Sequence, residues 1–215
     1  MTNNIAYIIG NGPSLLPDNL DKLIGKPSYA CNRIHLMYEY TDWRPTEYVR
    51  SEWAALDDDP VRWKSGREEI QLHLDMGIRC RVSNHWDLEG IDILKHCHEH
   101  QVNYDDKNAP SEWHLPQPCV FGGSMSVAMQ LAYMDGFKTL VLLGCDLNYR
   151  NGKPNHFTDK YELGGETDAF YANKNALWGH VVAINTIARK GLDLFVVNAT
   201  RGGDLHLYPR WQRNG

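Results

Sequence analysis

The sequence predicts an α/β protein with a doubly wound, mostly parallel β-sheet and helices on both faces. Short β-rich apolar runs alternate with helix-length segments along the chain, which is the pattern of a parallel sheet with right-handed crossovers. Several of the runs are continuously apolar, as expected of strands that helices cover on both sides. A chain of 215 residues is long enough to bury a core of its own, so we expect a single domain over 1–215.

The elements are assigned from apolar runs and from glycines that end helices. The predicted strands cover residues 6–9, 28–31, 47–49, 78–82, 139–143 and 194–197. The predicted helices cover the stretch before Gly25 and residues 60–76, 91–100, 124–134 and 169–190. A polar excursion at about 147–168 is expected to form part of a ligand cleft.

Composition limits the partners and the compartment. A net charge of −5 gives no general attraction to nucleic acid, and no apolar run approaches the length of an integral membrane segment. Five cysteines at scattered spacings are typical of reduced, buried thiols, so we expect a cytoplasmic protein. Seven tryptophans exceed what such a core needs, so some are expected to line a cleft or the interface of a homo-oligomer.

The first predicted strand ends in a glycine loop with the sequence Gly10-Asn11-Gly12-Pro13-Ser14. Ligands of doubly wound sheets bind outside the carboxyl ends of the strands. Glycines allow close approach of the backbone, and a following helix offers free N–H groups and a positive dipole to an anion. We therefore predict a phosphate site at Gly10, Asn11, Gly12 and Ser14. The alternative is a plain turn in which Ser14 caps the helix.

Two more loops are expected at the same edge. Gly122, Gly123 and Ser124 begin a predicted helix and offer a second set of backbone donors, unless Ser124 serves only as a helix cap. Asp146 follows a buried strand, where a carboxylate can bond a ribose, a base or a metal, or simply form a turn.

Proton donors follow in the polar excursion, which contains Tyr149, His156 and Tyr161. Other candidates are weaker. His96 and His100 have the i, i+4 spacing of a metal-chelating pair, but a solvated helix end is the preferred interpretation, and no metal ligand is assigned. His180 lies in an apolar helix, where a structural histidine is the usual explanation. Arg50 follows the third strand and either reaches the cleft or forms a surface ion pair.

Four segments in this order resemble glycosyltransferase family 42, the sialyltransferases, and a wider group related to archaeal-type 6-hydroxymethylpterin diphosphokinase. The segments are Gly10-Asn11-Gly12-Pro13-Ser14-Leu15, Cys31-Asn32, Gly136-Phe137-Lys138 and Leu142-Leu143-Gly144-Cys145-Asp146. The resemblance runs from Ile5 to about Thr200 and is loose over residues 45–118. It implies a Rossmann-like fold and a nucleotide-sugar donor, a cytidine monophosphate (CMP) sugar, whose sugar passes with inversion to a hydroxyl of a glycan or another acceptor.

The resemblance also implies roles for individual residues. Asn11 and Asn32 would bond the nucleotide phosphate and sugar, and the turn at residues 122–124 would lie along the nucleotide. Of two tyrosines that steady the departing phosphate in the family, Tyr149 matches the first, whereas the second position is His156. The family's base is a histidine after a glycine, which His180 copies at a position nearer the last strand. The base assignment therefore lies open between His156 and His180, and His156 is favoured.

Two other functions remain open. A diphosphokinase-like phosphoryl transferase would need Mg²⁺, with Asp146 and Asp159 as its candidate ligands. A binding module that keeps the nucleotide fold without chemistry is the third possibility.

Overall fold

The fold is an α/β sandwich around one parallel sheet. The structure is a computed structural model that describes residues 4–51, 60–83, 86, 88–94, 109–118, 122–150, 155–161 and 169–211. Seven strands pair in the order β5-β4-β3-β2-β1-β6-β7, all in parallel. They are β1 (Ile5–Ile9), β2 (Ser28–Cys31), β3 (Glu47–Arg50), β4 (Arg79–Val82), β5 (Asp92–Ile93), β6 (Thr139–Leu143) and β7 (Phe195–Asn198). The predicted doubly wound α/β fold is confirmed.

Helices cover both faces of the sheet. They are α1 (Pro17–Asp21), α2 (Pro60–Asp75), α3 (Ser124–Met134) and α4 (Ala169–Lys190), with 3₁₀ helices at Asn32–Met37 and Asp159–Tyr161. Because side chains alternate along a strand, Ile8 packs in a core with residues of α3 and α4, whereas Ile9 packs in a second core with residues of α1 and α2. None of the helices within the described ranges has the length and apolarity to cross a bilayer.

The direction of strand addition reverses beside β1. The chain adds β2 to β5 on one side of β1 and then places β6 and β7 on the other side. Ile9 at the end of β1 is in register with Leu143 at the end of β6, so the loops that follow these strands leave the sheet side by side. Such a switch point is where open α/β sheets form their ligand crevice.

Two predicted helices differ from the structure. Residues 92–93 form the edge strand β5, whose Asp92 accepts a hydrogen bond from Nε of Arg79 at 2.6 Å across the sheet. This strand pairing overrides the helical pattern that predicted a helix at 91–100, and His96 and His100 lie outside the described residues. The first helix is only five residues long and has Leu16 as its N-cap, because Pro17 fits the first helical turn and breaks any earlier start.

Candidate functional site

A cavity of about 340 Å³ opens at the switch point. Its walls are the loops after β1, β2 and β6, the start of α3, part of the 155–161 segment and one face of α4. Of the candidate site residues that the sequence singled out for this edge, Ser14 and Asp159 do not line the cavity. Those that do are Gly10, Asn11, Gly12, Asn32, Arg50, Gly122, Gly123, Ser124, Asp146, Tyr149, His156, Tyr161 and His180. The structure thus brings segments from six parts of the chain to one place.

The first glycine loop, residues 10–14, is packed against the loop after β6. The N–H of Gly10 donates to the carbonyl of Leu143 at 2.8 Å, and that of Gly12 donates to the carbonyl of Gly144 at 2.8 Å. A Cβ on Gly10 would lie 2.4 Å from the oxygen of Gly144, and a Cβ on Gly12 would lie 2.8 Å from it. The two glycines therefore allow two loops to touch, and their amides are already used. The predicted cradle of free amides is wrong for both residues.

Asp146 completes this contact. Oγ of Ser14 donates to its Oδ2 at 2.8 Å, and the same oxygen would lie 1.9 Å from a Cβ on Gly12. The carbonyl of Asp146 accepts the N–H of Asp204 at 2.7 Å, in the loop after β7. Burial raises the pKa of Asp146, and the hydrogen bonds from Ser14 oppose that shift. Asp146 thus joins three loops, and Ser14 serves it instead of capping α1, so the Ser14 N-cap prediction is wrong.

The second glycine loop, residues 122–124, presents the open end of a long helix. Gly123 is the N-cap of α3 with φ of 82°, and no side chain caps the helix there. A Cβ built on Gly123 meets nothing within 4 Å, so open space lies above it. Gly122 instead lies against α4, where its Cβ would be 2.5 Å from Cα of Gly179. The N-terminus of α3, with its positive dipole, therefore faces the cavity, and no side chain of the described residues caps it.

Two asparagines lie in the loops that follow the neighbouring strands β1 and β2. Nδ2 of Asn11 donates to the carbonyl of Cys31 at 3.0 Å and to the hydroxyl of Tyr161 at 3.1 Å. Asn32 adopts a left-handed backbone with φ of 52°, and its Oδ1 accepts a hydrogen bond from Oγ of Ser124 at 3.0 Å. Neighbours therefore fix which end of each carboxamide is used inside the protein.

His180 lies in the wall that α4 contributes. It is 6% exposed, and its Nδ1 is 3.2 Å from the hydroxyl of Tyr208. Burial lowers the pKa of His180 to about 4, so the imidazole is neutral at pH 7. Nε2 has no hydrogen-bond partner among the described residues, and His180 lines the cavity. The tautomer with a proton on Nδ1 leaves the lone pair of Nε2 available to a ligand.

The aromatic wall consists of Tyr149, His156 and Tyr161. The ring of His156 stacks on that of Tyr161 with centroids 3.6 Å apart, and it meets the ring of Tyr149 in a T-shaped arrangement with centroids 5.7 Å apart. The main chain of Tyr149 is held on α4, because its N–H and carbonyl bond the carboxamide of Asn173 at 2.9 and 2.8 Å. The three residues of the aromatic wall belong to the described parts of the polar excursion and line the cavity.

The sequence patterns do not predict Arg33 at the cavity wall, and they leave Arg50 open between the cleft and a surface ion pair. Nε of Arg33 lies 3.3 Å from a carboxylate oxygen of Glu69, and Arg50 pairs with the same carboxylate. Both arginines line the cavity. Arg50 is 4% exposed, so the alternative of a surface ion pair is wrong. Arg33 directly follows Asn32 at the end of a strand, and that position was the available signal.

Tyr208 was missed because it lies after β7, with no motif of its own, and meets His180 only through the tertiary fold. The candidate magnesium ligands are not brought together either. Asp146 lines the cavity and is engaged by Ser14, whereas Asp159 is absent from the cavity wall. Within the part of the chain that the structure describes, no group of three or more histidine, cysteine or acidic residues could hold a metal. The described residues do not fit the Mg²⁺ site that a diphosphokinase would need.

Comparison with known proteins supports the fold. The solved structure of the MAf glycosyltransferase from Magnetospirillum magneticum AMB-1 is similar to this chain, with a TM-score of 0.55 and 17% sequence identity. The match covers 98% of this chain and 34% of that protein, so the chain spans about a third of its length. At this identity the likeness shows a shared Rossmann-like α/β fold. No protein-family model matches the chain, and no curated protein does.

Proposed function

We propose that this chain binds a nucleotide sugar in the switch-point cavity and transfers the sugar to an acceptor hydroxyl. The observation that carries the proposal is the uncapped N-terminus of α3, open to a cavity that Arg33 and Arg50 also line. Together these features favour a ligand with a phosphate. A fold shared with a glycosyltransferase and the motifs that resemble sialyltransferases support sugar transfer as the reaction.

The donor we propose is a CMP-sugar, and the transfer inverts the anomeric carbon. The acceptor is a glycan or another molecule with a free hydroxyl. Nε2 of His180 takes the proton of that hydroxyl as the acceptor oxygen bonds the anomeric carbon. The bond from this carbon to the phosphate oxygen breaks, and the phosphate keeps its electron pair. The negative charge of a bound phosphate raises the pKa of His180 from about 4, which makes the imidazole a better base than in the empty cavity.

His180 is chosen over His156 on geometry. A base held by a third group is the usual arrangement of an active site, and Tyr208 holds Nδ1 of His180. His156 is stacked on Tyr161 and lies beside Tyr149, where it is suited to donate to the leaving phosphate. The sequence favoured His156 as the general base, and the proposal assigns His180 instead.

The proposal is tested first by calorimetric titration with CMP, UMP, AMP and GMP. We expect CMP to bind most tightly, and we expect a CMP-sugar to release CMP when an acceptor is present. Release that survives a chelator agrees with sugar transfer without metal, whereas complete loss favours a Mg²⁺-dependent phosphoryl transferase. Binding of no nucleotide would refute the proposal. Binding with no turnover of any CMP-sugar would leave a nucleotide-binding module.

A further inference from the structure

Ser124 and Ser51 form a hydrogen-bonded chain that ends on Asn32. Oγ of Ser124 is 3.0 Å from Oδ1 of Asn32, and a carbonyl oxygen can only accept. The single hydroxyl proton of Ser124 is therefore used there. Oγ of Ser51, 3.0 Å from Oγ of Ser124, must then be the donor of that pair, and the N–H of Ser51 also approaches Oγ of Ser124 at 3.3 Å. Both serines are buried, at 3% and 4% exposure.

Because Ser124 donates to Asn32, the oxygen of the Asn32 carboxamide is engaged inside the protein and its NH₂ group is left for another partner. With Oδ1 held by Ser124, the remaining group is Nδ2, for which no partner is found among the described residues. Asn32 lines the cavity, and its left-handed backbone, with φ of 52°, is a conformation that costs energy in a residue other than glycine. The strain and the serines together hold an N–H donor at the cavity wall.

In a second asparagine at the same cavity, Asn11, the NH₂ group is engaged and the oxygen is left. Asn11 is 8% exposed, both of its Nδ2 hydrogens are used by Cys31 and Tyr161, and its Oδ1 is buried with no partner among the described residues. His180 also lines the cavity, and no described residue is hydrogen-bonded to its Nε2. A buried polar atom without a partner is uncommon in folded proteins, so Oδ1 of Asn11 points to a ligand that supplies the missing bond.

We infer that Ser124 and Ser51 are positioning residues which make Asn32 a donor to the ligand phosphate. The inference rests on the proposed function, because it assigns the phosphate to the space between Asn32 and the N-terminus of α3. It also changes the expected role of Ser124, whose hydroxyl acts through Asn32 and does not itself bond the nucleotide.

The test compares the affinities of CMP and cytidine by calorimetric titration. We expect Ser124→Ala to lose about tenfold in affinity for CMP, the equivalent of one charge-assisted hydrogen bond, and to bind cytidine as the wild type does. Ser51→Ala is expected to lose about threefold, because the proton of Ser124 can still reach Asn32. The matched control is Ser126→Ala, which removes a buried hydroxyl on α3 that has no hydrogen-bond partner among the described residues and should leave both affinities unchanged.

A double-mutant cycle separates positioning from direct contact. If Ser124 acts through Asn32, the Asn32→Ala/Ser124→Ala double variant binds CMP no more weakly than Asn32→Ala alone. Additive losses, or equal losses for CMP and cytidine in Ser124→Ala, would overturn the inference while leaving the proposed function intact. If the wild type binds neither CMP nor any other nucleotide, the proposed function fails first and the inference falls with it. If Ser124→Ala does not fold, Ser51→Ala carries the same comparison.

Discussion

The two glycine loops at the edge of the sheet look alike in sequence and differ in what their backbone meets. In the first loop the amides of Gly10 and Gly12 are bonded to the loop after β6, and Asp146 fills the space beside Gly12. In the second loop a Cβ on Gly123 would meet no described atom within 4 Å, and Gly123 begins a helix of 11 residues that no described side chain caps. A glycine that follows a strand can therefore allow close contact either with another loop or with a ligand. What packs against the glycine in the fold distinguishes the two cases.

The largest expected effect concerns the residue that the second loop helps to place. Gly122 and Gly179 touch, so the loop fixes the part of α4 that carries His180. We expect His180→Gln to lower kcat by about 10²–10⁴, the usual contribution of a general base. Initial-rate measurements on a CMP-sugar would check this, with His206→Gln, an exposed histidine outside the cavity wall, as the control. Full turnover in His180→Gln would show that His180 is not the general base and that the second loop does not place one.

A substitution in the first loop, residues 10–14, should lower the stability of the protein. A methyl group on Gly12 would lie 1.9 Å from Oδ2 of Asp146 and 2.8 Å from the oxygen of Gly144. Because backbone on one side and a bonded carboxylate on the other cannot both move away, we expect Gly12→Ala to lower the free energy of unfolding by about 3 kcal/mol. Urea denaturation followed by circular dichroism would measure the loss. A variant as stable as the wild type would show that the two loops do not need to touch.

A substitution in the second loop, residues 122–124, should weaken ligand binding. Gly123 and Gly25 both have positive φ, at 82° and 73°, and a Cβ on either meets nothing within 4 Å. Alanine should cost about 1 kcal/mol of stability at Gly25. It should cost about 1–3 kcal/mol at Gly123, whose φ of 82° and ψ of 170° lie in a region that is nearly restricted to glycine. Only Gly123→Ala should also weaken CMP binding, by about tenfold, because its methyl group enters the ligand space. Equal CMP affinities of the two variants would place the ligand elsewhere.

The smallest expected effect is a pH dependence of stability that one histidine in each core produces. Burial lowers the pKa of His73 and of His180 to about 4, from an ordinary value of 6.5. Between these values the unfolded chain binds more protons, so the stability contribution is complete above pH 6.5 and is lost as the pH falls toward 4. We expect a loss of about 1 kcal/mol per histidine at pH 5.5.

Urea denaturation at pH 7.5 and 5.5 checks this prediction in the wild type and in His180→Gln. The variant should lose the share that His180 contributes and keep the share that comes from His73 and from His35, whose pKa burial also lowers. A variant that loses none of it would show that His180 is protonated, or exposed, in the folded protein. That result would also weaken its assignment as a neutral base behind the second loop.

The sequence predicts the sheet and the place of the site because both depend on local patterns. Apolar runs locate six of the seven strands of the described sheet, and glycines directly after them locate the loops of the switch point. Edge strand β5 was missed because two residues carry no periodicity, and its pairing with β4 is a tertiary contact. Elements that neighbours in sequence determine are predictable, whereas this short strand is determined by its partner.

The roles within the site could not be predicted for the same reason. The partner of Gly12 is the loop after β6, the partner of Asn32 lies 92 residues away in Ser124, and His180 is oriented by Tyr208. Whether an amide is free, which end of a carboxamide is exposed and which imidazole nitrogen is bonded all depend on such distant neighbours. The residue types that chemistry needs are visible in the sequence, but their hydrogen-bond assignments belong to the fold.

The most direct test of the account is a crystal structure of the protein with CMP bound. We expect the phosphate to lie about 3 Å from the backbone amides of Ser124 and Met125 and from Nδ2 of Asn32, within hydrogen-bond distance. A phosphate held by the backbone of residues 10–14, away from the N-terminus of α3, would contradict the division of roles between the two glycine loops.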